Sequence, residues 1–130
     1  MKFKMNEQGF ESSFEFGELK VSGQSQYGYR PFQLMISSIV GCSGGVLRNI
    51  LEKMRLSYDD ITIEAEATRN EEKANRIEKI HLTYTIIGED IPQKKAEKAI
   101  QLTRKNCAML QSVVDSIAVT EEVHLKSPRD

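Results

Sequence analysis

The stretch that most limits what this chain can fold into is residues 30–54, RPFQLMISSIVGCSGGVLRNILEKM. Pro31 suits the first helical position, where its missing N–H leaves no donor unpaired. Leu34, Met35, Ile36, Ile39, Val40, Val46, Leu47, Ile50 and Leu51 recur at helical spacing, and Glu52, Lys53 and Arg55 close the pattern. No charge falls between Leu34 and Leu47, so the helix reads as buried on all sides. Its centre, Gly41-Cys42-Ser43-Gly44-Gly45, runs against that reading. Each interior glycine costs roughly 0.5–1 kcal/mol relative to alanine. Glycines kept here imply either a close backbone neighbour or open access to Cys42.

The remaining sequence supplies strands and one more helix. Up to Val21, Phe3, Met5, Phe14, Phe16, Leu19 and Val21 alternate with polar residues, and Gly9 and Gly17 mark turns, giving two or three short antiparallel strands. A polar loop with Tyr27 and Tyr29 leads into Pro31; these rings, with Phe32, are expected at a dimer interface or in an apolar pocket. Ile61, Ile63, Ala65 and Ala67 alternate on one strand, and Ile80, Leu82, Tyr84 and Ile86 on the next. The charged run 70–76 joins them as a hairpin with one dry face. From Pro92, Ala96, Ala99, Ile100, Thr103, Cys107, Leu110, Val114 and Ile117 trace a helical stripe. That helix either runs on to Ser116 or breaks near Asn106, a good N-cap, leaving Cys107 at the first position of a new helix. Val119, Glu121, Val123 and Leu125 give a last strand.

The expected class is α+β in a single domain, residues 1–130: an antiparallel sheet, a long buried central helix and a second helix. One sheet and one helix leave part of the central helix uncovered, and a two-fold homodimer is the simplest cover. A net charge of −1 with no single-sign block gives no reason to expect nucleic acid or a membrane surface. No signal-like apolar region opens the chain, and the uncharged run is shorter than the roughly 20 residues that span a bilayer. The expectation is a cytoplasmic protein. Two cysteines and two histidines lack zinc-type spacing, so no metal site and no permanent disulfide are expected. His81 and His124 fall at solvated positions, and Asp59/Asp60 and Glu89/Asp90 at turns.

Chemistry rests on the cysteines. Both could be small buried hydrophobes. Against that stand the small residues around Cys42, which leave the sulfur reachable. Arg104 and Lys105 precede Cys107, and positive charge and a helix start both favour a thiolate. The proline-led PFQLMISSIVGCSGGVL, then a hairpin, RKNCAMLQSVV and the closing IAVTEEV resemble, in order and over nearly the whole chain, the OsmC/Ohr family (osmotically inducible protein C and organic hydroperoxide resistance). The resemblance implies an intertwined homodimer without metal, flavin or haem. It implies that Cys42 attacks an organic hydroperoxide and becomes sulfenic acid, that Cys107 captures it as a disulfide, and that a dithiol reduces the product.

In family peroxidases a glutamate follows the helix-opening proline and pairs with an arginine. Here Phe32 and then Gln33 hold that place, and Arg30 is the one arginine at hand. Phe32 therefore favours a second reading: a dimeric protein that binds a small apolar or thiol-reactive ligand without efficient peroxidase activity.

Overall fold

The computed structural model describes residues 1–130. Contacts divide the chain into two compact units, Met1–Ser37 and Ser38–Asp130. In the first, β1 (Lys4–Met5), β2 (Phe10–Ser13) and β3 (Glu18–Val21) form the expected antiparallel meander. A Cβ on Gly9 would lie 2.1 Å from the Val21 carbonyl oxygen, so the turn into β2 passes on bare backbone. Phe3 meets Phe14 edge to face at 6.3 Å between ring centroids. Phe3, Met5, Phe10 and Phe16 nevertheless remain exposed.

The helix α1 spans Pro31–Lys53 and links the two units. It ends on Arg55 in the left-handed region (φ 58°), with Leu56 N–H donating to the Leu51 carbonyl (2.9 Å) and Arg55 N–H to that of Glu52 (3.0 Å). This is a Schellman stop without its usual glycine. Only Ile39, Ser43, Leu47 and Leu51 are buried, one residue every fourth position. The expectation of burial on all sides is thus corrected. One chain covers a single stripe, and Leu34, Ile36, Val40, Val46 and Ile50 are left half-buried. The helix also passes for a bilayer span by length and composition, with a mean hydropathy of 1.4. Its buried stripe is tied to the second helical region through Ser43, which bonds Cys107.

In the second unit, β4 (Asp60–Asn70) and β5 (Arg76–Ile87) pair antiparallel through the expected hairpin, which turns on Ala74 and Asn75 in left-handed conformations (φ 58° and 56°). Ile80, Leu82, Tyr84 and Ile86 point inward and are all at most 1% exposed. The sheet order is β4-β5-β6, with β6 at Ala118–Lys126. The antiparallel expectation holds for β1–β2–β3 and β4–β5; β6 is the exception and runs parallel to β5. Its connection is a helical crossover, the kind of link that a parallel pair of neighbouring strands requires. That crossover holds α2 (Gln93–Asn106) and the short α3 (Ala108–Gln111).

The helix breaks, as one of the two alternatives had it, but one residue later. Asn106 is the last residue of α2, its side-chain amide donating to the Leu102 carbonyl (2.8 Å). Cys107 is the N-cap of α3 (φ −84°, ψ 109°), and its sulfur accepts from Leu110 N–H at 3.4 Å. The cysteine caps the helix that it was expected to begin.

Candidate active site

Cys42 lies half-buried in the middle of α1, and Cys107 is fully buried at the α2–α3 junction. The fold joins them through the buried stripe of α1. Ser43, next in chain to Cys42, donates its hydroxyl to Cys107 Sγ at 3.2 Å. Ile39, one turn earlier, places its carbonyl oxygen 4.0 Å from the same sulfur. The Cys107 thiol is also among the groups that act on the ionisation of Cys42.

Their electrostatics are opposite. Cys42 is held below the ordinary thiol range, first by the Met109 N–H, then by the Cys107 thiol, with the Ala108 N–H adding to both against a small burial cost. Cys107 is pushed above that range, first by burial, while Ser43 and the Leu110 N–H pull the other way and Cys42 adds to the rise. The thiolate that Arg104, Lys105 and a helix start suggested at Cys107 is thus not favoured there; Cys42, the sulfur expected to attack, is the one favoured. Arg104 does not serve Cys107: its guanidinium donates to the Val119 carbonyl and to Glu121 Oε1, both at 2.8 Å. The free N–H groups at the start of α3 act on Cys42 instead.

The glycine question resolves toward access. Cβ atoms built on Gly41 and Gly45 would meet nothing within 4 Å, and one on Gly44 only Ile63 Cδ1 at 3.4 Å. Gly41, Cys42, Gly45, Val46, Arg48 and Glu52 line an open cavity of about 450 Å³. Cys42 thus borders this groove, with the Arg48 side chain bonded to Tyr58 Oη (3.2 Å) at its edge.

The other predicted residues belong to the first unit. Arg30 is exposed just ahead of α1, where its carbonyl accepts from Leu34 N–H (3.1 Å). Phe32 is half-buried and Gln33 exposed in the opening turn. Sequence reasoning passed over three inward-facing groups: Ser43, Tyr84 and Glu121. Each carries a readable signal, because each occupies the apolar phase of its element. Tyr84 is fully buried and its phenol is raised to about 12, chiefly by burial, with Ser43 favouring the phenolate and Glu121 and Cys107 opposing it.

A sequence model described as OsmC-like protein matches residues 23–122. The chain belongs to the OsmC-like family. No curated protein matches it in sequence. Among solved structures, a hypothetical protein from Aquifex aeolicus is 27% identical (TM-score 0.87), the alignment covering 97% of this chain and 94% of that one. An OsmC like protein from Mycoplasma pneumoniae is similar at TM-score 0.84 and 12% identity, over 95% and 94% of the two chains. An organic hydroperoxide resistance protein OsmC from Legionella pneumophila aligns at TM-score 0.72 and 16% identity, over 94% and 93%.

Proposed function

We propose that this protein reduces organic hydroperoxides, with Cys42 as the attacking sulfur and Cys107 as the resolving one. The observation that carries this reading is the asymmetry of the two cysteines: Cys42 is half-buried on the glycine-lined flank of α1, while Cys107 is fully buried behind it, its sulfur bonded by Ser43, the next residue to Cys42. The Cys42 thiolate attacks an oxygen of the hydroperoxide. An S–O bond forms, the O–O bond breaks, and the electron pair leaves on an alkoxide that takes up a proton to become the alcohol. Cys107, deprotonated, then attacks the sulfenic sulfur and expels hydroxide, which is protonated to water. A dithiol reduces the disulfide by exchange. The backbone N–H groups of Ala108 and Met109 supply the anion stabilisation that family members draw from the glutamate–arginine pair, so Phe32 need not abolish activity. The name of the Legionella pneumophila relative points to the same substrate class. A homodimer in the cytoplasm is part of the proposal, because Phe3, Met5, Phe10 and Phe16 and the uncovered sides of α1 call for a second copy.

The second reading, an apolar-ligand binder, is favoured by Phe32 alone. Intact mass after thiol blocking separates the two. Brief treatment with stoichiometric cumene hydroperoxide should convert the wild type to an intramolecular disulfide and leave Cys107→Ser with an oxygen atom added at Cys42. Two reduced thiols, beside a control peroxidase that is oxidised in the same buffer, would end the enzyme reading.

A further inference from the structure

Cys107 has a structural part besides its chemistry. Its sulfur is the side-chain cap of α3, accepting from Leu110 N–H at 3.4 Å. The same sulfur accepts from the Ser43 hydroxyl at 3.2 Å, and its S–H faces the Ile39 carbonyl at 4.0 Å. Through these contacts one buried thiol ties a four-residue helix to the middle of α1. A single helical turn is marginal by itself, because its first N–H groups have no partner inside the helix. The backbone ladder here is short: Gln111 N–H donates to the Cys107 carbonyl (2.9 Å) and Ser112 N–H to that of Ala108 (3.0 Å). An S–S bond of about 2.05 Å is far shorter than a non-bonded contact between two sulfurs, so joining Cys42 to Cys107 shifts at least one of them. Cys42 lies inside the continuous helix α1, whereas Cys107 stands at the break between α2 and α3 with extended backbone (φ −84°, ψ 109°). The junction is the softer of the two places, so the capping sulfur is the one that moves.

We propose that α3 is a redox-sensitive latch, closed while Cys107 is a thiol and loosened once its sulfur is bonded to Cys42. Disulfide formation removes the S–H that faces Ile39. It also draws the sulfur away from Leu110 N–H and the Ser43 hydroxyl, leaving α3 without its cap. The buried Leu110 side chain and the Gln111 amide, which donates to the Arg104 carbonyl (2.9 Å), confine the change to the turn at 108–111. The loosening has a use in the cycle. As a thiol, Cys107 has no solvent exposure. A latch that opens on oxidation gives the reducing dithiol a way to a sulfur hidden until then. A cysteine at a position where serine, asparagine or aspartate caps best thus couples the turn to the redox state.

The inference rests on the two-cysteine reading, but its test uses no hydroperoxide. Dithiodipyridine takes two electrons from the thiol pair. Cys42 displaces one thiopyridone; Cys107 gives up its proton, displaces the other and closes the disulfide. Intact mass confirms the bond, and amide hydrogen exchange then compares the two redox states. Residues 108–112 should exchange about tenfold faster in the disulfide form, while peptides from α2 and β5 stay within twofold. Two variants, kept reduced, separate the cap from the crosslink. Cys107→Ala, which has no cap, should raise exchange at 108–112 about as much. Cys107→Ser, with a hydroxyl in place of the thiol, should hold it at the level of the reduced wild type. Equal protection in the two redox states overturns the latch. So does a Cys107→Ala variant as protected as wild type, because the sulfur then does not hold α3. A reagent that leaves the two thiols unjoined overturns it as well. Inertness toward cumene hydroperoxide alone ends the enzyme reading, while the exchange data still decide the latch.

Discussion

The surroundings of the two sulfurs differ in every respect that governs thiol chemistry. Cys42 is on a helix flank stripped to glycine, beside a groove, with backbone N–H groups aimed at it. Cys107 is packed at a helix junction with Ser43, Ile39 and Tyr84 around it, and burial dominates its ionisation. Two neighbouring cysteines would be equivalent in a symmetric site. Here one is built to meet an oxidant and the other to wait. The difference comes from access and from backbone polarity, without a charged side chain at either sulfur.

The largest test of this contrast is Cys42→Ser, which should lower dithiol-coupled hydroperoxide reduction by more than about a thousandfold, to the uncatalysed rate. Access is tested next. Iodoacetamide should label Cys42 in the native protein about a hundredfold faster than Cys107, read by peptide mass. The pH midpoint of that labelling should lie below the free-thiol value of about 8.5 and move up in Cys107→Ala, which has no side-chain donor. Equal labelling of both cysteines would erase the distinction. Ser43→Ala removes a hydrogen bond to a developing thiolate, worth about 1.5–3 kcal/mol, and should slow disulfide closure roughly tenfold or more.

The smallest effect concerns stability. The Tyr84 phenol is raised from 10 to about 12 in the folded chain. Above pH 10 the unfolded chain loses this proton first and so binds fewer protons, and stability falls as pH rises toward 12. Thermal unfolding scanned over that range should show a steeper fall for wild type than for Tyr84→Phe.

Much of this was legible in the residues. Period-two alternation located the hairpin of β4 and β5 and the meander of the first unit, because one face of each strand is set by side chains only two positions apart. Helical spacing and Pro31 located α1, and the glycines beside Cys42 announced an open flank. Parallel pairing of β6 was not legible, because alternation is blind to direction. The break before α3 was legible only as one of two alternatives, and one residue early: Asn106 is the better N-cap by type, but its amide is spent on Leu102. The inward phase of Glu121 was visible without its partner.

By itself, then, the sequence determined the elements, their dry faces and the family pattern, since these follow from local spacing and residue type. Only the tertiary structure decided which groups favour the thiolate at Cys42, the sulfur that the resemblance named as the attacking one. That depends on where the N–H groups of α3 point and on how deeply each thiol is buried. Arg104 and Lys105 stand next to Cys107 in the chain and suggested that their charge acts on its sulfur. Arg104 turned to Glu121, seventeen residues away, because a buried carboxylate binds a guanidinium more strongly than a neutral thiol does. Electrostatic fields act through space, and chain neighbours are a poor guide to them.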